Sequence, residues 1–156
     1  MAPKRSQRMQ ILLTLAKRSE DDAAKKLAQM QNQIQQADEQ LTQIEDYNQA
    51  YKLEIQSKTT GLSGRDMMSD RSFLERLGSA VKEQQERLRQ MREHLNNLRQ
   101  AWQIKHHYSQ SIKDLIERIQ HAENAALEKK LQSQLDEMAT QLYVRNGKGL
   151  AAGEHG

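Results

Sequence analysis

A stripe of apolar residues that repeats at alternating steps of three and four positions is the feature that most constrains this chain. From residue 13 to residue 55 only two members of the stripe are polar, Glu20 and Asn48. The members are Leu13, Ala16, Glu20, Ala23, Leu27, Met30, Ile34, Ala37, Leu41, Ile44, Asn48, Tyr51 and Ile55. Heptad spacing sustained over this length is typical of a helix in a coiled coil, and Asn48 on the seam is expected to fix the pairing register.

A second stripe of the same kind follows later in the chain. It runs through Phe73, Leu77, Ala80, Gln84, Leu88, Met91, Leu95, Leu98 and Trp102, weakens through Lys105 and Ser109, and resumes with Ile112, Leu115, Ile116, Ile119 and Ala122. Two four-residue steps in succession, ending at Gln84 and Leu88, predict a stutter that locally unwinds the supercoil.

The segment between the two stripes is rich in Thr, Gly, Ser and Asp, which predicts a turn. Because the turn is short, the two helices must fold back on each other. The predicted fold is therefore all-α, an antiparallel two-helix coiled coil (a helical hairpin) with a longer second helix. The predicted segments are a disordered basic N-terminus at 1–5, a single hairpin domain at 6–145 (helix 6–57, turn 58–70, helix 71–145) and a disordered Gly-rich tail at 146–156.

The residue types needed for catalysis are poorly arranged in such a hairpin. Aromatic residues make up 4% of the chain and there is no Cys, so a large core and a thiolate metal site are both unexpected. The five His include no pair four residues apart, and Gly61 and Gly64 lack the Lys that follows the glycines of a phosphate-binding loop. The sequence predicts a protein without enzymatic activity, metal or cofactor, which acts by binding other proteins.

The two stripes differ in length, so the end of the second helix is predicted to overhang. Residues from about 122 to 145 have no counterpart in the first helix, yet they carry a further apolar stripe. Its members are Leu127, Leu131, Leu135, Met138 and Leu142. An unpaired amphipathic segment is expected to bind a partner. The partner is either a different protein or a second copy of the chain.

Positive charge is concentrated at the N-terminus, where no acidic residue precedes Glu20. The basic residues there are Lys4, Arg5, Arg8, Lys17 and Arg18. They suit an acidic protein, a nucleic acid or an anionic membrane surface, or simply a solvated helix start. Acids and bases alternate elsewhere, which disfavours nucleic acid.

The longest apolar run, residues 11–13, is too short for a signal peptide or a transmembrane helix, so we expect a soluble, intracellular protein.

Several short motifs, in order along the chain, resemble the flagellar FliJ family. They are Asp21-Asp22-Ala23-Ala24, Gln40-Leu41 with Ile44, Asp46, Tyr47 and Tyr51, Phe73-x-x-x-Leu77-x-x-Ala80, Leu98-x-x-x-Trp102, Ala125-Ala126, Asp136-Glu137-Met138-Ala139 and Arg145. The resemblance covers residues 7–145. Each motif alone is common among coiled coils; their order and spacing, on a helix–turn–longer helix plan, are what resemble the family.

That resemblance implies a component of the bacterial flagellar type III protein export apparatus. FliJ-like proteins are similar to the central stalk of rotary ATPases: they enter the hexameric ring of the export ATPase, contact the membrane-embedded export gate and escort export chaperones. The resemblance implies that the end of the coil carrying both termini, with Lys17 and Arg18 and the overhanging stripe, faces the ATPase. It also implies a cytoplasmic protein that associates with the inner membrane through the export apparatus, without inserting into the bilayer or binding nucleic acid.

The resemblance further implies that Phe73, Leu77, Ala80 and Gln84 bind the export gate. The family often has His at the position of Gln84, so the fourth contact departs from the family pattern. A packing role beside the turn is the alternative for these residues, and Phe73 is the one we expect to be exposed. Two other functions stay open at this point: a structural homo-oligomeric scaffold, and the stalk of a virulence-type secretion system.

Overall fold

Two helices make up the described part of the chain. The computed structural model describes the backbone of residues 4–57 and 64–154, and side chains as far as residue 147. Helix α1 spans Arg5–Ser57 and helix α2 spans Gly64–Glu154. The helices pack against each other as a helical hairpin with a longer second helix, and the described ranges contain no strand. The predicted fold class is confirmed.

The seam of α1 is the stripe that the heptad pattern predicted. All thirteen predicted positions from Leu13 to Ile55 are buried or half-buried, and the positions between them are mostly exposed. Burial of one apolar stripe is what holds two long helices together, because at this length little else removes apolar surface from water. Small residues recur among the most buried members, where Ala16, Ala23 and Ala37 let the backbones approach closely.

The seam of α2 departs from the predicted pattern after Trp102. His106 is half-buried and continues the seam, whereas Lys105 is exposed. Lys105 instead places its ammonium nitrogen 2.5 Å from the hydroxyl oxygen of Ser19. The seam therefore takes two four-residue steps in succession, from Leu98 to Trp102 to His106. Like the stutter predicted at Leu88, such a step shifts the stripe around the helix.

The ends of α2 also differ from the sequence-based boundaries. The helix begins at Gly64 rather than at residue 71, with Asp66 in its first turn, where a carboxylate favours the positive end of the helix dipole. It continues to Glu154 rather than ending at 145, because a scattered Gly costs a helix only about 1 kcal/mol. At the other end of the chain, α1 includes Arg5, which was assigned to the disordered N-terminus. Residues 1–3, 58–63 and 155–156, parts of the predicted termini and turn, lie outside the described residues.

The hairpin divides into two compact units. The turn unit comprises Ala16–His107 and the terminal unit comprises Met1–Leu15 with Tyr108–Gly156. Within the turn unit the helices are antiparallel, since Glu20 contacts His106, Ala37 contacts Gln84 and Tyr51 contacts Asp70. Leu88, 2% exposed, is the most buried apolar residue of the turn unit, and Ile116, 3% exposed, holds that place in the terminal unit.

Candidate partner-binding surfaces

Among the described residues of the terminal unit, Glu123 makes the last hydrogen bond from α2 to α1. Its carboxylate accepts hydrogen bonds from the backbone N–H of Ser6, at 3.3 Å, and from the Ser6 hydroxyl, at 2.8 Å. Ser6 is the second residue of α1, so this carboxylate lies at the positive end of the helix dipole and satisfies one N–H group that has no partner inside the helix. Glu123 thus marks the point on α2 beyond which α1 supplies no partner.

Every described residue of α2 after Glu123, from 124 to 147, is exposed. The apolar side chains on this segment form the distal stripe, which we define as Leu127, Leu131, Leu135, Met138 and Leu142. These five side chains are from 50% to 65% exposed. The stripe continues the seam of Ile112, Ile116, Ile119 and Glu123 in steps of three and four residues. No described residue of α1 covers these side chains, and their exposure was predicted correctly.

Two shallow grooves lie along the distal stripe. One is lined by Glu128, Leu131, Gln132, Leu135 and Asp136, and the other by Met138, Gln141, Leu142 and Arg145. Each contains four residues at positions i, i+3, i+4 and i+7, the set that forms the hole for a side chain of a facing helix in a coiled coil. The surface therefore has the shape that another helix would fill.

The basic residues predicted to face a partner are Lys17 and Arg18, both in the turn unit. Both are exposed. The ammonium group of Lys17 lies 3.4 Å from a carboxylate oxygen of Glu20, three residues along the same helix. The Lys17 side chain is 47% exposed although its Glu20 partner is only 10% exposed, so the ammonium group stays accessible to solvent. Both residues are therefore placed to interact with an acidic surface, and no described contact identifies that surface.

The four residues predicted to bind the export gate lie on the seam, and two of them, Phe73 and Gln84, have described contacts with α1. Phe73, Leu77, Ala80 and Gln84 are all half-buried. The Phe73 ring meets the Tyr51 ring edge-on at 4.7 Å between centroids. The side-chain amide of Gln84 donates a hydrogen bond to the carbonyl oxygen of Ala37, at 3.1 Å. The expectation that Phe73 is exposed was wrong, because two tyrosines of α1 lie opposite it.

Tyr47 and Tyr51 complete an aromatic cluster with Phe73 in the turn unit. Tyr47 stacks on Tyr51 with 6.5 Å between centroids and is itself 55% exposed. The Tyr51 hydroxyl donates a hydrogen bond to the Asp70 carboxylate at 2.6 Å. This hydrogen bond, together with burial and the charge of Asp70, raises the pKa of Tyr51 to about 12. The cluster joins the first turns of α2 to the last turns of α1.

Ultraviolet titration tests this arrangement. One tyrosine, Tyr51, is expected to ionise near pH 12, and Tyr51→Phe should remove that titration. Because folding raises this pKa above its ordinary value near 10, the hydrogen bond stabilises the fold below about pH 10. That contribution is lost as the pH rises from 10 to 12. A titration near pH 12 that is absent from the wild type, or unchanged in Tyr51→Phe, would contradict the hydrogen bond.

A polar group interrupts the seam of the turn unit where Glu20 meets α2. A Glu20 carboxylate oxygen lies 2.6 Å from Nδ1 of His106, and the His106 ring stacks on Trp102 at 5.0 Å with an angle of 13°. The Glu20 side chain is only 10% exposed. Sequence analysis placed Glu20 on the seam but missed His106 as its partner. A polar pair at one seam position specifies register more than it adds stability.

Other exposed apolar side chains lie off the predicted stripes. On α1 they are Ile11, Leu12, Leu15 and Leu53, and on α2 they are Met67, Met68, Ile104, Tyr108, Tyr143 and Val144. Sequence reasoning did not single them out, because single exposed apolar residues are common and carry no periodic signal. Among the residues whose side chains the structure describes, only the distal stripe combines exposure with a heptad pattern.

The described residues also bear on metal binding and on membrane crossing. No group of three or more His, Cys, Asp or Glu side chains within them could hold a metal ion. Neither helix, over the ranges the structure describes, has a segment apolar enough to cross a membrane.

The fold and its surfaces define a class: a two-helix coiled-coil protein whose longer helix presents an uncovered apolar stripe. The family model described as "Flagellar FliJ protein" matches residues 5–148, and the chain belongs to this family. It is 27% identical to the flagellar FliJ protein of Escherichia coli (strain K12), over 86% of this chain and 92% of that protein. It is 26% identical to the flagellar FliJ protein of Salmonella typhi, over 88% of this chain and 94% of that protein. No solved structure matches the chain. Membership in the family supports a component of the flagellar export apparatus.

Proposed function

We propose that the chain is a non-enzymatic stalk of the flagellar export apparatus, which binds the hexameric export ATPase through the distal stripe, links that ring to the export gate and escorts export chaperones. The exposed distal stripe carries this proposal. Five large apolar side chains on about 36 Å of helix, residues 124–147, have no described partner in the chain. Apolar surface of this size and regularity favours association with another protein.

Charge supports the ATPase as one partner. Lys17 and Arg18 are exposed, and Lys4, Arg5 and Arg8 add positive charge in the first turns of α1. Basic side chains steer a protein toward an acidic surface and increase the rate of association. A partner with acidic loops around an apolar surface would match both features.

The export gate is the second proposed partner, and it would contact the neighbourhood of Phe73, Leu77, Ala80 and Gln84. Because these side chains pack on α1, the gate would touch their exposed edges together with Tyr47, which is 55% exposed. Through the gate the protein would associate peripherally with the inner membrane while staying in the cytoplasm. The proposal includes neither insertion into the bilayer nor binding to nucleic acid.

Phe73→Ala separates gate binding from folding. It removes one ring of the aromatic cluster and should lower the free energy of unfolding by about 1–3 kcal/mol. This loss is smaller than that for a fully buried Phe, because the site is half-buried. At a temperature where the variant keeps its helicity, we expect gate binding to fall at least about tenfold. Circular dichroism and a pull-down with the cytoplasmic part of the gate measure the two effects. If the folded variant and the wild type bind the gate with equal affinity, Phe73 has only a packing role.

The test of the main proposal is ATPase turnover. Adding the purified chain to the purified flagellar export ATPase should raise the rate of ATP hydrolysis and the fraction of assembled rings. The chain alone should hydrolyse no ATP. If the chain neither co-purifies with the ATPase nor changes its turnover, the proposal is wrong. Family membership favours this function over the stalk of a virulence-type secretion system.

A further inference from the structure

The distal stripe has a register that matches itself when a second copy is placed antiparallel. From Glu128 to Arg145 the same face of α2 carries residues at steps of three, four, three, four and three. They are Glu128, Leu131, Leu135, Met138, Leu142 and Arg145. These are successive a and d positions of a heptad, so all six lie on one side of the helix.

Reversing the second copy pairs every a position with a d position. Leu131 of one copy then lies opposite Leu142 of the other, and Leu135 lies opposite Met138. In this register the numbers of any two facing residues add to 273. Glu128 of each copy therefore lies opposite Arg145 of the other, one such pair at each end. Apolar residues meet apolar residues, and opposite charges meet at the two edges, where they complete the seam.

The two grooves on the stripe obey the same two-fold relation. Four of the five residues that line the first groove map onto the four that line the second when each number is subtracted from 273. Glu128, Leu131, Gln132 and Leu135 become Arg145, Leu142, Gln141 and Met138, while Asp136 has no counterpart in the second groove. Leu142 of one copy would therefore enter the first groove of the other, and Leu131 would enter the second groove. Each groove is the hole for the side chain that the opposite copy presents.

The flanking positions favour this arrangement as well. Gln132, Gln134, Ala139 and Gln141 border the stripe and carry no charge, so no like charges would face each other across the seam. Glu128 and Arg145 are both exposed, and no ion pair joins either one to another described residue. They lie 17 positions apart on one helix, about 25 Å, and so cannot pair within one chain.

We propose that the distal stripe is a self-association surface, on which a second copy of this chain docks antiparallel through residues 128–145. This dimer would cover the stripe when no other partner is present. Dimerisation would compete with the export ATPase for the same surface. The monomer would then be the form that binds the ring, and the dimer a form that does not. The inference rests on the register and charges of the stripe and holds whether or not the ATPase is the partner.

Charge reversal tests the pairing of Glu128 with Arg145. The variants E128R and R145E each place like charges opposite each other at both ends, and each should raise the dimer dissociation constant at least about tenfold. An equimolar mixture of the two variants pairs opposite charges at both ends and should dimerise as tightly as wild type. The double variant E128R/R145E should do the same. Sedimentation equilibrium measures all four samples, and circular dichroism checks that each remains helical.

Disulfide trapping tests the direction, because the chain has no cysteine of its own. Mixed L131C and L142C chains should form a disulfide between each other under mild oxidation. L131C alone should form far less, because Leu131 of the two copies lies at opposite ends of the seam.

Wild-type chain that stays monomeric at about 100 µM would overturn the proposal, as would a dimer insensitive to both charge reversals or crosslinked mainly through L131C alone. Stimulation of the ATPase by a chain that stays monomeric would overturn the dimer but not the proposed function.

Discussion

Replacing Leu135 with Glu should weaken binding to the export ATPase at least about 30-fold, while leaving the free energy of unfolding unchanged within about 0.5 kcal/mol. Leu135 is 65% exposed and lies at the centre of the distal stripe, so its side chain supports no contact within the hairpin. In a complex it would be buried near the middle of the interface, where a charge costs about 2 kcal/mol or more. Titration of labelled chain with the ATPase, and unfolding in urea, measure the two quantities.

The matched control is Ser133→Glu. Ser133 is exposed on the same segment of α2. It shares a helix face with Thr140, seven positions away, and that face points away from the distal stripe. This substitution adds the same charge to the same part of the helix and should leave ATPase binding within about twofold of wild type. If both variants bind equally well, the stripe is not the binding surface. If both bind equally poorly, the ATPase responds to net charge rather than to the stripe.

Leu88→Ala should have the largest effect on stability of any single leucine substitution in the turn unit. Leu88 is 2% exposed and follows the stutter in the seam of α2. Removing a fully buried leucine side chain costs about 2–5 kcal/mol, because the cavity left behind is only partly filled. Chemical unfolding followed by circular dichroism should show a lower midpoint with a similar slope.

Leu131→Ala provides the comparison for Leu88→Ala. It makes the same chemical change on the same helix, at a side chain that is 50% exposed, and should cost less than about 0.5 kcal/mol at concentrations where the chain is monomeric. If the two variants lose equal amounts of the free energy of unfolding, either the distal segment packs on the hairpin or Leu88 does not anchor the turn unit. Either result would contradict the distribution of burial described above.

The heptad pattern predicted the parts of the fold that depend on local spacing. The seam of α1 from Leu13 to Ile55 follows from the sequence, since every fourth or third residue is apolar and the partner helix must cover them. The exposure of the distal stripe follows from arithmetic, because α1 is shorter than α2 and the turn fixes which residues oppose each other. The family resemblance, carried by motifs along residues 7–145, is confirmed by the match over residues 5–148.

The details that sequence analysis missed depend on contacts across the hairpin. Phe73 was expected to be exposed because it is the only Phe and lies beside the turn, but Tyr51 contacts it from the other helix. His106 replaces Lys105 on the seam because the buried Glu20 carboxylate lies opposite. The hydrogen bond between Tyr51 and Asp70 near the start of α2 joins residues 19 positions apart. No window of local sequence contains both partners of any of these contacts.

Hydrogen–deuterium exchange of the chain with and without the assembled export ATPase is the most direct test of where the partner binds. In the free chain at low concentration, amides of residues 124–147 should exchange faster than those of the packed seam, because nothing covers this segment. Adding the ATPase should slow exchange across 124–147 and leave residues 85–100 of the turn unit unchanged. Unaltered exchange over 124–147, in a sample where ATPase turnover is stimulated, would contradict the assignment of the distal stripe as the ATPase-binding surface.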